Sequence, residues 1–310
     1  MGKKVFITGG TGLIGQGLQQ AFVAQGWRGS VLTRSLSHSG KKILPQLQAV
    51  EGDITEKNWF KQLAGHDVLI HLAGFPLFDK RWSVATKAMI RDSRVTGTKN
   101  LVTAIKALAK DQRPKRIISA SAVGYYGILV GDQPLDESAL PGDDFLAQVA
   151  VDWEKEAEEF QSYVDHVTIF RIGVVLSLAG GMLARVIPIF RSALGGKLGT
   201  GKQWISWIHA DDVIQFMSQA ALSHQWPAGL YNLTAPNPVT NAEFTKVLGH
   251  LIKRPTVLAI PKVILQNILG EGSRYVLTGQ RVIPAKLIQS GATFYFPKID
   301  VALQDLLRKS

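Results

Sequence analysis

The chain of 310 residues contains no cysteine, so disulfide bonds, thiolate nucleophiles and thiolate metal sites are all excluded. It also lacks a long uninterrupted apolar run, because glycines, an arginine and a proline interrupt its most apolar stretch, Ile172 to Phe190. A membrane-spanning helix needs about 20 consecutive apolar residues, so this stretch is interpreted as a strand, a turn and the start of a helix. The first strand begins almost at the N-terminus, which leaves no room for a signal peptide. We therefore expect a cytoplasmic protein with no membrane partner.

Acidic residues are the scarcer charged class, since 24 Asp and Glu against 35 Lys and Arg give a net charge of +11. Such a charge favours anionic partners in general. The basic residues are scattered, without a basic helix or a nucleic-acid-binding motif, and we expect no nucleic-acid partner. A hydrophobic share of 46% and a charged share of 19% are typical of a globular protein. The length suits a nucleotide-binding domain with a smaller companion.

The stretch from Lys3 to Phe22 has the pattern of a buried strand, a glycine-rich turn and an amphipathic helix in direct succession. Gly9, Gly12 and Gly15 permit a tight turn, close approach of backbone N–H groups to a pyrophosphate, and close packing of the helix on the strand. The positive end of the helix dipole then faces the phosphates. The pattern predicts a dinucleotide site built from Gly9, Thr11, Gly12, Leu13, Ile14 and Gly15.

The end of the second predicted strand, Gly29 to Arg34, bears on the choice of cofactor. NAD-binding folds usually place an acidic residue there to hold the ribose 2′-hydroxyl, whereas this chain has Thr33, Arg34 and Ser35. A guanidinium between hydroxyl groups suits a 2′-phosphate, so the sequence favours NADP(H) over NAD(H). The alternative is that Arg34 is an ordinary surface arginine.

Strands and helices alternate along the rest of the chain, which predicts an α/β fold. We expect a Rossmann-type doubly wound parallel sheet with a smaller C-terminal substrate-side lobe. A long helix is predicted from Val84 to Ala109, and we assign the Rossmann domain to residues 1–179 with 201–236 and the lobe to residues 180–200 with 237–310. Further strands are predicted at Leu47–Val50, Asp67–His71, Arg116–Ala120, Val167–Leu176 and Gly229–Leu233.

The turn TGGTGLIG resembles that of the extended short-chain dehydrogenase/reductase superfamily. By this resemblance Asp53 and Ile54 contact the adenine, and the turn Leu72, Ala73 and Gly74 lies beside the adenosine and the nicotinamide-side ribose. Sugar epimerases of the superfamily typically have N-V-x-G-T in the following helix. This chain has Arg94 in place of the Asn, and an arginine there could reach a phosphate or a substrate carboxylate.

Later motifs are more distinctive, among them SRVTGT, SAVGYYG, GGKLGTGKQWISWIHADDV and GQRVIPAKLIQSGATFYFP. Together they resemble an atypical epimerase-like subgroup of NAD-dependent epimerase/dehydratase proteins, often labelled cell-division-inhibitor-like, over nearly the whole chain. The resemblance leaves the reaction of this subgroup undefined. It implies an unidentified small-molecule substrate, and a homodimer remains open as an alternative to a monomer.

Four residues are candidates for the substrate pocket: Tyr125, Arg171, Trp207 and His209. By the resemblance, Arg171 approaches the nicotinamide end of the cofactor. A metal site on His209, Asp211 and Asp212 is conceivable, but helix capping explains the two acids and we expect no metal.

The Tyr-x-x-x-Lys pair that short-chain dehydrogenases usually use is missing, since no tyrosine is followed four residues later by lysine. By alignment, Leu146 and Ala150 stand where the pair would be. Two main interpretations remain open. One is an NADP(H)-dependent epimerase-like or reductase-like enzyme with Tyr126, or alternatively Tyr125, as substitute acid and Ser121 as its hydrogen-bonding partner. The other is a non-catalytic NADP(H) sensor; a structural protein with a vestigial pocket is a third, weaker alternative.

Overall fold

A computed structural model describes residues 3–39, 42–128, 131–223 and 225–309 of the chain. The strands within these ranges follow in chain order: β1 (Lys4–Thr8), β2 (Arg28–Thr33), β3 (Leu47–Glu51), β4 (Val68–His71), β5 (Arg116–Ala122), β6 (Pro134–Leu135), β7 (His166–Ile172), β8 (Val174–Leu176), β9 (Gly196–Leu198), β10 (Trp204–Ile205), β11 (Trp207–His209), β12 (Gly229–Leu233), β13 (Val239–Thr240), β14 (Leu258–Ile260) and β15 (Arg281–Val282).

The helices of the same ranges alternate with these strands. They are α1 (Leu13–Ala24), α2 (Leu36–Ser39), α3 (Val84–Asp92), α4 (Val95–Ala107), α5 (Phe145–Glu158), α6 (Gly181–Arg191), α7 (Ala210–Leu222), α8 (Asn241–Ile252), α9 (Lys262–Leu269), α10 (Ser273–Leu277), α11 (Ala285–Gln289) and α12 (Ile299–Arg308). None of the helices in the described part of the chain is long and apolar enough to cross a membrane.

Seven parallel strands of the described chain form the central sheet, in the order β12-β7-β5-β4-β1-β2-β3. Helices cover both faces, so the middle of the sheet is buried on both sides, as in β1, where the apolar run Val5, Phe6 and Ile7 is fully buried. The chain order reverses between β1 and β4. A reversal of this kind opens a crevice at the carboxyl ends of the strands, where such sheets bind ligands. The predicted fold class is confirmed.

The predicted helix Val84–Ala109 is wrong as one element, because the structure has two helices with a break at Ser93 and Arg94. Both side chains at the break donate to the carbonyl of Ile90, Ser93 through Oγ at 3.2 Å and Arg94 through Nη1 at 3.0 Å. Side-chain donors thus compete for a carbonyl that a continuous helix would use for its backbone.

The predicted strand Val167–Leu176 is also two elements, β7 in the central sheet and β8, which pairs with β11. The break falls at Gly173, where a Cβ atom would lie 2.3 Å from the carbonyl oxygen of Ser206. The close approach of two backbones therefore turns the chain out of the sheet at this glycine.

An apolar cluster outside the central sheet is built by α6, α8 and α12 around Trp207 and Phe244. It draws on residues both before and after the predicted lobe boundary at residue 237. The division into a Rossmann domain and a substrate-side lobe therefore stays a prediction.

Candidate functional site

A cleft of about 1580 Å³ lies at the carboxyl ends of the central strands. One half is walled by the turn after β1, the end of β2, the segment after β3 and the turn after β4. The other half is walled by α6, α9, α10 and the loop between β9 and β10. The volume exceeds the roughly 300–1,000 Å³ of an ordinary small-molecule pocket, so the cleft has room for two molecules.

The glycine turn forms the floor of the first half. Gly9 has a φ of +69°, and a Cβ atom on it would lie 2.7 Å from the carbonyl carbon of Leu72. A Cβ atom on Gly15 would lie 2.5 Å from the Cα of Gly10, so this glycine permits close packing of α1 on the turn. Of the six predicted cofactor residues in this turn, four line the cleft, namely Gly9, Thr11, Gly12 and Leu13, whereas Ile14 and Gly15 do not.

The end of β2 supplies the cationic part of the cleft. Thr33 is buried and Arg34 is exposed, and both line the cleft. Lys42, which the sequence analysis did not single out, lines the cleft as well. Its backbone carbonyl accepts from Gln19 Nε2 at 3.0 Å, and the same amide donates to Gly10 O at 2.8 Å. Gln19 therefore ties the loop of Lys42 to the glycine turn, a contact that no local sequence motif signals.

Asp53 and Ile54 line the same half beside β3. The Oδ1 atom of Asp53 accepts from the backbone N–H and the hydroxyl of Thr55, at 2.9 and 2.7 Å. These bonds hold the carboxylate in one orientation at the wall of the cleft. Ile54 packs on α4 at Gly97, where a Cβ atom would lie 2.9 Å from Ile54 Cγ1.

The turn after β4 is held by a chain of hydrogen bonds through buried His71. The Ala73 N–H donates to Thr8 Oγ1 at 3.3 Å, and Thr8 donates to His71 Nδ1 at 2.7 Å. His71 Nε2 lies 2.9 Å from Thr98 Oγ1, which donates onward to the carbonyl of Arg94 at 2.6 Å. Burial, with a smaller contribution from the Arg94 charge, lowers the pKa of His71 to about 3. The imidazole is therefore neutral and positions the turn Leu72, Ala73 and Gly74, all of which line the cleft.

Arg94 supports this turn from behind. Its Nη1 donates to the carbonyl of Phe75 at 3.1 Å, and a Cβ atom on Gly74 would lie 3.1 Å from its Nη2. The guanidinium also lies 5.4 Å from the ring centre of Trp153. Arg94 is not among the residues that line the cleft, so it supports this turn through the backbone carbonyl of Phe75.

Ser121, Tyr126 and Arg171 form a buried network with Glu154 of α5. Arg171 forms a bidentate ion pair with Glu154, with Nε and Nη2 at 2.8 and 2.7 Å from the two carboxylate oxygens. Ser121 Oγ donates to Glu154 Oε1 at 2.5 Å, and Arg171 Nη1 donates to the Tyr126 hydroxyl at 3.0 Å. None of these four side chains is among those lining the cleft.

Tyr126 is fully buried, and its hydroxyl also lies 2.7 Å from Asn232 Oδ1 and 2.9 Å from Asp136 O. Burial raises the pKa of Tyr126 to about 12 despite the nearby guanidinium of Arg171. Tyr125 is half-buried, with its ring centre 3.3 Å from the Arg171 guanidinium carbon. This placement gives no support to a catalytic role for Tyr126 and Ser121. Glu154, which sequence reasoning missed, could have been found as the lone acid on the buried face of α5.

Trp207 and His209 also lie behind the cleft. Trp207 is fully buried and donates through Nε1 to Asn237 O at 3.0 Å. His209 caps α7 by accepting from the Asp211 N–H at 3.0 Å, and it stacks on Phe296 at 3.9 Å. His209, Asp211 and Asp305 place one ligand atom each within 4.8 Å of one another. Lys309 Nζ lies 3.1 Å from Asp211 and 2.8 Å from Asp305, so one ammonium group already pairs with both carboxylates.

Tyr275 on α10 lines the cleft, and it is the only one of the six tyrosines, all within the described ranges, that does so. Its hydroxyl donates to Asp144 Oδ1 at 2.9 Å and accepts from the Leu146 N–H at 3.3 Å. Leu146 is the residue that stands where the usual tyrosine would be. Burial, with a further contribution from Asp144, raises the pKa of Tyr275. The C-terminal segment thus brings a protonated hydroxyl to the start of α5.

Two family models and several relatives match the chain. The model of the NAD dependent epimerase/dehydratase family matches residues 5–233, and a domain of unknown function, DUF1731, matches residues 260–306. The chain is 37% identical over 308 residues to the chloroplastic epimerase family protein SDR39U1 homolog of Arabidopsis thaliana, covering 98% of this chain and 86% of the relative. It is 35% identical over 304 residues to epimerase family protein YfhF of Bacillus subtilis, covering 98% and 97%.

Solved structures show the same architecture. The crystal structure of human epimerase family protein SDR39U1 with NADPH has a TM-score of 0.86 and 27% identity, and the match covers 99% of this chain and 100% of the human chain. The UDP-glucose 4-epimerase of Thermotoga maritima with UDP-glucose has a TM-score of 0.79 over 99% of both chains. At 17% identity, the latter likeness shows the fold alone.

Proposed function

Because the chain belongs to the NAD dependent epimerase/dehydratase family, as its motifs indicated, we propose that it binds NADP(H) along the first half of the cleft and acts on a small molecule in the second half. The observation that carries the proposal is the pair of cations, Arg34 and Lys42, that line the cleft where NAD-binding folds usually have an acid. The NADPH of the human relative supports the same choice.

The residues of the first half fit a dinucleotide. The glycine turn leaves no space for Cβ atoms at Gly9 and Gly15. Gly12 and Leu13 line the cleft at the start of α1, so the positive end of the helix dipole can stabilise a pyrophosphate there. Thr33, Arg34 and Lys42 would hold the 2′-phosphate, and Asp53 the adenine amino group. The bound dinucleotide supplies or accepts a hydride. The interpretation as a non-catalytic sensor gains no support from the site or the relatives.

The cofactor preference is tested by titrating the protein with NADPH and NADH. We expect NADPH to bind more tightly by about ten- to a hundredfold, because a charge-assisted contact to a phosphate contributes roughly 1.5–3 kcal/mol. Arg34→Asp should remove most of that difference. Arg28→Asp is the matched control, since Arg28 is exposed at the opposite end of β2. Equal affinities of the wild type for the two dinucleotides would contradict the proposal.

For proton transfer we propose the hydroxyl group of Tyr275, a residue that lines the cleft. At neutral pH this hydroxyl is protonated, because the pKa of Tyr275 is raised. Its proton can turn from Asp144 to a substrate oxygen at small cost, since Asp144 keeps three backbone donors, at Ile128, Leu146 and Ala147. No lysine lowers its pKa, so we expect slow reduction of simple carbonyl compounds.

This role is tested with decanal as substrate, by following the oxidation of NADPH. Tyr275→Phe should lower the rate by about a hundredfold, the low end of the range for a positioned acid. NADPH affinity should stay unchanged, because the hydroxyl contacts Asp144 and Leu146 and not the glycine turn. Tyr295→Phe serves as the control, since Tyr295 is 60% exposed and lies outside the cleft wall. A Tyr275→Phe variant as fast as the wild type would exclude this assignment.

A further inference from the structure

The second half of the cleft is walled mainly by apolar side chains. Phe75, Leu77 and Phe78 in the segment after β4 are all half-buried and line it. Met182 on α6 and Leu265 on α9 line it as well. Partial burial of large apolar groups around an open space leaves apolar surface that a ligand can cover.

Three polar side chains of this wall donate hydrogen bonds to other protein groups. Gln203 Nε2 donates to Leu198 O at 3.1 Å, and Trp204 Nε1 donates to Asp132 Oδ1 at 3.0 Å. Thr278 Oγ1 donates to Arg274 O at 2.7 Å. A ligand rich in hydroxyl groups would have to break such bonds, each of which contributes about 1 kcal/mol.

The charges of this half do not suit an anion. Among the described residues that line the cleft, the lysines and arginines are Arg34, Lys42 and Arg185, and the first two lie at the end of β2. Arg185 is paired with the Asp79 carboxylate and donates to Phe78 O at 2.9 Å. With Asp79 and Asp92 in the wall, one cation faces two carboxylates. The pyrophosphate of a nucleotide sugar would therefore lack an unpaired cation here.

We infer that the second half of the cleft binds an uncharged, predominantly apolar molecule and not a nucleoside-diphosphate sugar. This inference rests on the proposed function, because it places the ligand beside a dinucleotide in the first half. The mouth of this half fits such a ligand as well, since Ile189 and Ile268 line it and are 43% and 65% exposed. An apolar molecule can thus enter along apolar surface.

The test uses the full chain saturated with NADPH, with Nile red as an uncharged apolar probe and UDP-glucose as competitor. We expect saturable Nile red binding that UDP-glucose does not displace. Leu265→Glu should weaken Nile red binding by about tenfold or more, because a carboxylate in an apolar wall must be desolvated. Val263→Glu should leave it unchanged, since Val263 lies on the same helix, is 63% exposed and does not line the cleft.

The NADPH affinity of Leu265→Glu serves as the check that this variant folds. It should equal that of the wild type, because α9 contains no buried residue. If the wild type does not bind NADPH, the proposed function is refuted, whatever the result with Nile red. Absence of saturable Nile red binding, displacement of the probe by UDP-glucose, or equal Nile red affinity of Leu265→Glu and the wild type would each overturn the inference.

Discussion

At the scale of single residues, the ion pair of Glu154 and Arg171 connects α5 to β7 inside the protein. The exposed fractions of the two side chains are 6% and 4%, Ser121 donates a further hydrogen bond to Glu154, and Tyr126 accepts one from Arg171. A buried pair of this kind contributes little relative to apolar residues of equal size, but removal of one partner leaves the other charge buried without compensation. The network therefore holds α5, β5 and β7 together behind the cleft.

Glu154→Gln should lower the free energy of unfolding by about 3–5 kcal/mol, because Arg171 then stays charged in an apolar region with a neutral amide as partner. Urea denaturation at neutral pH measures the change. Asp152→Asn on the same helix is the matched control. Asp152 pairs with Arg91 at 3.1 Å at the surface, and such pairs contribute about 0–1 kcal/mol. If the free energy of unfolding falls by the same amount in Glu154→Gln and Asp152→Asn, this account of the buried pair is contradicted.

At the scale of elements, the start of α7 holds the C-terminal segment in place. Asp212 is fully buried and accepts from the backbone N–H groups of Tyr295 and Phe296, at 2.7 and 3.1 Å. Burial raises the pKa of Asp212, and the two hydrogen bonds oppose the shift. One carboxylate thereby satisfies two donors of the loop that joins α11 to α12.

Asp212→Asn should destabilise the protein by about 1–3 kcal/mol, because an amide has one acceptor oxygen and leaves one buried N–H without a partner. The free energy of unfolding in urea, with limited proteolysis near residue 295, measures the loss. Asp211→Asn is the control, since its carboxylate is 45% exposed and pairs with Lys309. If the protease cleaves both variants near residue 295 at the rate of the wild type, Asp212 does not hold the loop of Tyr295 and Phe296 in place.

At the scale of the whole molecule, the C-terminal segment, residues 237–310, packs against the preceding part of the chain at several places. β15 pairs with β6, and α12 packs on α8 in the cluster that contains Trp207. Tyr275 and Leu265 reach the cleft from this segment. Both halves of the chain thus contribute to one site.

The fragment 237–310 should be unfolded when expressed alone, because its apolar side chains pack on residues outside it, such as Trp207 and Leu183. Circular dichroism and proton NMR of the isolated fragment measure this. A cooperative thermal transition of the fragment would show an independent domain. The full chain under the same conditions is the control and should melt cooperatively.

The sequence by itself determined the sheet, the glycine turn and the cationic end of β2, since short-range patterns of apolar residues and glycines specify a strand, its turn and its helix. It did not determine which side chains face the cleft. Arg94, Tyr126, Trp207 and His209 lie behind the wall, whereas Lys42 and Tyr275 line it. Tyr275 and Leu146 are 129 residues apart in sequence and share a hydrogen bond. Contacts of that separation depend on how the C-terminal segment packs over the sheet, and local sequence carries no signal of them.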